Sequence, residues 1–135
     1  MGSRIPGSRR VLVVDDEPSV AESLELILFR HGYEVRAASS AEEAIETIAA
    51  WAPDLAIVDV MLPQMDGIQF GIALHDNYPE CKVLLTSGHP DAGQLLEEAA
   101  EQGYAFEILP KPLHPSSILD RVTAMLPEAP PSAQA

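Results

Sequence analysis

Four apolar runs, each stopping at an acidic, hydroxyl or lysine side chain, constrain this chain more than any other feature. Val11-Leu12-Val13-Val14 gives way to Asp15-Asp16, and Leu55-Ala56-Ile57-Val58 to Asp59. Val83-Leu84-Leu85 gives way to Thr86-Ser87, and Phe106-Glu107-Ile108-Leu109 passes through Pro110 to Lys111-Pro112. Short continuous runs of Val, Ile and Leu are the pattern of strands buried on both faces, which belong to parallel sheets covered by helices. In open parallel sheets, chemistry gathers in the crevice beyond the carboxyl ends of the strands. Asp15, Asp16, Asp59, Thr86 and Lys111 are therefore expected to converge on one edge.

Helical signals fill the intervals between these runs. Pro18 suits a first helical turn, Val20, Leu24, Ile27 and Leu28 recur at helical spacing, and Gly32 supplies a stop. Tyr33 to Ala37 alternates weakly as a second strand. Ser40 with Glu43 has capping-box spacing, and Ala44, Ile45, Ile48 and Ala49 are read as the apolar face of the second helix, closed by Pro53. A third helix runs through Ile68, Ile72 and Leu74 and ends at Pro79. A fourth, from about Asp91 to Gln102, is short of large apolar residues. The last carries Ile118, Leu119, Val122, Met125 and Leu126. Pro110 offers no ladder donor, which places the fifth strand at a sheet margin. Five βα units with right-handed crossovers predict an α/β fold, a doubly wound five-stranded parallel sheet of order 2-1-3-4-5 flanked by five helices.

The predicted domain spans 9–126, preceded by a flexible lead-in over 1–8 and followed by a Pro/Ala-rich tail or linker stub over 127–135. A chain of 135 residues with 47% hydrophobic composition is long enough for one folded domain and excludes a disordered one. No apolar run approaches the roughly 20 residues of a membrane helix, and no secretory signal pattern opens the chain, so a cytoplasmic location without membrane insertion is expected. Cys81 has no partner for an internal disulfide and reads as a small buried hydrophobe. Net charge is −13, and Lys82 and Lys111 are the only lysines. That balance argues against direct nucleic-acid binding and suits a divalent cation or a basic partner face.

The first loop discriminates between ligands. A flavin or dinucleotide binder needs Gly, Ser or Thr there so that backbone donors face the phosphate. Asp15-Asp16-Glu17-Pro18 instead offers three carboxylates and lacks one N–H, which repels an anion and fits an oxygen-ligated Mg²⁺ that keeps several waters. With Asp59 alongside, the carboxylates repel one another, and a divalent ion and the Lys111 ammonium relieve that repulsion. The set suits phosphoryl transfer onto a carboxylate, with Thr86 donating to a phosphoryl oxygen. Each residue alone has a plainer role: Asp16 as a helix cap, Asp59 as a turn former, Thr86 as a strand end, Lys111 as a solvated lysine. Their joint occurrence at four strand ends favours chemistry.

Over about residues 9–126 the chain resembles the bacterial response-regulator receiver domain of two-component signalling. The matching stretches are Val11 to Pro18, Asp59-Val60-Met61-Leu62-Pro63-Gln64-Met65-Asp66-Gly67, Thr86-Ser87-Gly88 and Lys111-Pro112. The resemblance implies the flavodoxin-like receiver fold and Asp59 as phosphoacceptor for a phosphoryl group from a kinase phosphohistidine. It implies Mg²⁺ bound by Asp16, Asp59 and the Met61 backbone carbonyl, with Asp15 orienting metal-bound water. Thr86 would be the switch hydroxyl, and Lys111 would pair with the phosphoryl group across a cis bond to Pro112. The implied partners are a sensor histidine kinase or phosphotransfer protein and a downstream protein. Receivers commonly carry Tyr or Phe where this chain has Ile108, which puts the usual aromatic switch in doubt; Phe106 lies two residues earlier on the same strand face. The competing classes are an aspartate-based phosphohydrolase, whose nucleophile loop carries a second acid two residues on and of which Asp15-Asp16-Glu17 is no convincing version, and an interaction domain with a relic pocket. None of the four histidines has metal-ligand spacing, and no enzymatic turnover is expected beyond the chain's own phosphorylation and dephosphorylation.

Overall fold

The structure, a computed structural model, describes residues 9–63, 65–89 and 92–126. The expected lead-in at 1–8, the tail at 127–135 and the expected helix start at Asp91 lie outside them. Strands and helices alternate throughout: β1 (Arg10–Val14), α1 (Pro18–Arg30), β2 (Glu34–Ala38), α2 (Ala41–Ala50), β3 (Leu55–Asp59), α3 (Gly67–Asn77), β4 (Lys82–Ser87), α4 (Ala92–Glu101), β5 (Glu107–Pro110) and α5 (Pro115–Met125). The sheet is parallel throughout with order β2-β1-β3-β4-β5, as the connection rules predict. Pro110 ends an edge strand, as its missing donor requires.

The alternation of side chains along buried strands divides them between two cores. Leu12, Val14, Ala56, Val58, Val83 and Leu85 face α2 and α3, where Ala44, Ile48, Phe70 and Leu74 complete one cluster. Val11, Val13, Leu55, Ile57 and Leu84 face α1 and α5, meeting Leu24, Leu28, Ile118 and Val122. Every residue of β1 and β3 is buried, which accounts for their unbroken apolar character.

Helix ends follow local chemistry. Gly32 adopts a positive φ of 93° after α1, where its N–H reaches the Phe29 carbonyl and that of Tyr33 reaches Leu28. The Ser40 hydroxyl accepts from the Glu43 N–H, and Glu43 reaches back to Ser39 rather than to Ser40 itself. The expected face of α2 needs correction. Ala41, Ala44 and Ile48 are buried with Trp51, whereas Ile45 is 53% exposed and Ala49 faces solvent. Trp51 anchors the stripe one helical position away from Ile45. The fourth helix is lightly held: of its residues only Ala92 and Ala99 are buried.

Candidate functional site

Sheet register assembles the site. Val14 lies opposite Val58, so Asp15, the next residue on the first chain segment, stands beside Asp59 at the end of β3. Asp59 is in register with Thr86 on β4, and Ser87 with Pro110 on β5. The Lys111 N–H then bonds to the Ser87 carbonyl, and the peptide between Lys111 and Pro112 is cis. These steps bring together residues separated by nearly the whole domain.

The Lys111 ammonium lies 3.0 Å from Asp15 Oδ2, 3.2 Å from Asp59 Oδ2 and 3.6 Å from Glu17 Oε1. Carboxylate oxygens of Asp15, Asp16 and Asp59 all fall within 4.8 Å of one another. Asp15 and Asp59 are buried while Asp16 is exposed at the rim, so the cluster has a closed floor and an open mouth. Asp15 Oδ1 accepts the Glu17 N–H at 2.9 Å, which fixes its carboxylate in a turn, and Asp59 Oδ1 accepts the Met61 N–H at 3.2 Å. Asp16 is not the cap of α1: Glu17 occupies that position, and no side chain caps there. Thr86 is 1% exposed beside Asp59.

The electrostatics oppose one another. Burial pushes the Asp59 carboxyl above its ordinary range and the Asp15 charge adds to that, while the Met61 N–H and Lys111 pull it back. Burial disfavours the Lys111 ammonium, yet its bonds to Asp15 and the charges of Asp59 and Asp15 outweigh that, so its pKa is raised. Asp15, Asp59 and Glu17 share one ammonium, and Asp16 adds a fourth acid beside them. The surplus negative charge is hard oxygen, the donor type that Mg²⁺ selects.

Two participants were not legible as such. Glu17 reads in sequence as one more acid of the loop, and its approach to Lys111 depends on the fold. Gly67 reads as a loop glycine, but a Cβ there would sit 2.2 Å from the Asp59 carbonyl oxygen. Its N–H bonds to the Val60 carbonyl at 2.8 Å, so the start of α3 is drawn against the backbone that carries Asp59. The Asp66 carboxylate caps α3 by accepting the Gln69 N–H. The glycine is what lets the loop after Asp59 fold back tightly.

Residues 11–123 match the response regulator receiver domain, and the chain belongs to that family. The response regulator MprA of Mycolicibacterium vanbaalenii is 33% identical over 117 residues, covering 87% of this chain and 50% of the relative. The chain thus spans about half the length of the curated relatives it matches. A CheY-like response regulator receiver domain protein from Methanospirillum hungatei superposes with a TM-score of 0.78 at 27% identity, covering 87% of this chain and 92% of that one. The response regulator TrrA from Thermotoga maritima, solved in complex with Mg²⁺-BeF, superposes with a TM-score of 0.76 at 28% identity, covering 87% and 99%. The fold, the two-component family and the acidic cluster therefore agree.

Proposed function

We propose that Asp59 is the phosphoacceptor of this receiver domain, taking a phosphoryl group from the phosphohistidine of a sensor histidine kinase or phosphotransfer protein. The observation that carries the reading is the cluster of three carboxylates within 4.8 Å, the two buried ones sharing a single ammonium. In the step, an Asp59 oxygen forms a bond to phosphorus as the phosphorus–nitrogen bond of the donor breaks. Lys111, already between Asp15 and Asp59, neutralises a phosphoryl oxygen, and the Thr86 hydroxyl donates to another. Asp16, Asp59 and the Met61 carbonyl would hold Mg²⁺, with Asp15 orienting its water. A bound divalent ion supplies charge neutralisation on the phosphoryl oxygens.

A groove of about 300 Å³ between α1 and the segment after β5 opens beside Lys111 and is lined by Val20, Leu24, Ile27, Leu113 and Ile118. An apolar seat next to the acceptor suits a docking helix of the donor protein. Phosphorylation then shifts α4 and β5, because α4 has so few buried anchors. The receiver domain would comprise residues 9–126 with flanks at 1–8 and 127–135, act in the cytoplasm, and turn over only its own acyl phosphate. Among the described residues no helix is long and apolar enough to cross a membrane. The net charge of −13 argues against direct contact with nucleic acid, and output would pass to a protein partner.

Intact mass after incubation with acetyl phosphate tests the proposal. One phosphoryl group should be gained in Mg²⁺ and none in chelator. Equal labelling with and without the metal would overturn the metal's role, and continuous release of phosphate from a phosphomonoester would favour the hydrolase class.

A further inference from the structure

The outward face of α1 carries a feature that the acceptor site does not use. Phe29 is 68% exposed and Leu26 50%, the former being the most exposed large apolar side chain among the described residues. They border a cleft of about 340 Å³ with Val35 of β2 as its floor and Glu22 and Glu25 on its wall. At 3.6 residues per turn, Glu22, Leu26, Phe29 and Arg30 fall within about 100° of one another, forming one stripe. The groove beside Lys111 belongs to a different stripe, through Val20, Ser23 and Ile27.

The charges on the outward stripe are arranged antisymmetrically. Glu22 lies four residues before Leu26 and Arg30 four residues after it, each about 6 Å along the axis. Such a stripe is complementary to itself turned end for end. Two copies of α1 packed antiparallel about a two-fold axis at Leu26 place each Glu22 opposite the other copy's Arg30. Phe29 then meets the mouth of the other copy's cleft, between its Glu22 and Leu26. A two-fold contact is self-complementary by construction, and this stripe satisfies that condition in both charge and shape.

We infer that this face is a homodimer interface, occupied by a second copy of the chain through antiparallel α1 helices. The contact is small, so association is weak, with a dissociation constant of about 0.1 mM. Sedimentation equilibrium of the full chain over a range spanning that concentration tests it. Wild type should show a monomer–dimer equilibrium, and Phe29→Asp should abolish it. Glu22→Arg and Arg30→Glu should each weaken dimerisation by about 10-fold or more, since each replaces two attractive pairs with two repulsive ones. An equimolar mixture of these two folded, separately monomeric variants should recover a dimer, because every cross-pair between them is again opposite in sign. Wild type that stays monomeric across the range overturns the inference. So does a mixture that stays monomeric, or a Glu22→Arg variant that dimerises like wild type.

Discussion

The two ends of the sheet each set a cation among acids, and they use it in opposite ways. At the amino edge Arg10 is 8% exposed, with Glu34 3.4 Å from its Nε, Trp51 stacked 5.4 Å from its guanidinium, and its backbone N–H held by Asp54. Nearby, Lys82 donates to the Met125 carbonyl at the end of α5 at 2.6 Å, where a cation complements the helix dipole. At the carboxyl edge Lys111 faces Asp15, Asp59 and Glu17, with Asp16 adding a further acid at the rim. The first arrangement couples charge to a packed aromatic ring and fixes where strands begin. The second leaves acid in excess of base, a surplus of hard oxygen that a divalent cation would neutralise. One edge ties its charge into packing; the other gathers an excess of acid around one lysine.

Asp59→Asn separates the two edges most completely. It should lose all phosphate incorporation yet be no less stable than wild type at pH 7. The sign follows from burial and Asp15, which raise the Asp59 pKa in the fold. The unfolded chain gives up that proton at lower pH, so ionised Asp59 weighs against folding at neutral pH. Denaturant melts beside the phosphorylation assay check both halves, and a marked loss of stability would mean that the carboxyl edge is structural after all.

Trp51→Ala should do the reverse. Trp51 is 5% exposed, and removing it should cost about 3–5 kcal/mol in urea unfolding, while the fraction that stays folded still accepts phosphate. Loss of labelling in fully folded protein would show that the edges are coupled.

Lys111→Ala should cost about 1–3 kcal/mol in chelator, because Asp15 and Asp59 are left buried without their cation. Millimolar Mg²⁺ should recover much of that loss, as read by thermal melting. An equal penalty in both buffers would deny that metal and lysine neutralise the same charge.

The smallest effect concerns Cys81, which lies just before β4 at the amino edge. Burial, with Asp54 nearby, pushes its thiol up to about 12 from the ordinary 9.0. The unfolded chain ionises first, so the stability this thiol contributes is intact below pH 9 and erodes from there towards 12. A thiol reagent at pH 8 should therefore label Cys81 only as fast as the protein opens; rapid labelling of the native fold would contradict its burial.

The fold was legible because its central strands are buried on both faces: β1, β3 and β4 each contain a continuous apolar run that has few other places to go. Pro110 identified the edge strand by its chemistry. The residues of the acidic cluster and Lys111 were legible because polar groups directly after such runs must emerge at one edge. What failed was the choice between neighbouring stripes of α2. Ala44 and Ile48 belong to two possible faces, and nothing local says that Trp51, just past the helix, decides for Ala41 over Ile45. Gly67 was visible as a glycine, but the demand for it comes from the Asp59 carbonyl, eight residues away in sequence. The surroundings of Phe106 and Ile108 were only half visible. Phe106, which lies just before β5 and not in it, packs on the same core as Ile108, but it also stacks on Tyr104 and lies against Gly71 of α3, contacts that no strand spacing announces.

Trapping the phosphorylated carboxylate tests the division of labour between the two edges most directly. Borohydride reduces an acyl phosphate to the alcohol, converting the acceptor aspartate to homoserine, and peptide mass spectrometry then locates it. Homoserine should be found at position 59 alone, only when acetyl phosphate and Mg²⁺ are both present, and at unchanged yield in Cys81→Ala. Homoserine at position 15 or 16, or none anywhere in a sample that carries stoichiometric phosphate, would contradict the assignment of Asp59 and with it the account of the carboxyl edge.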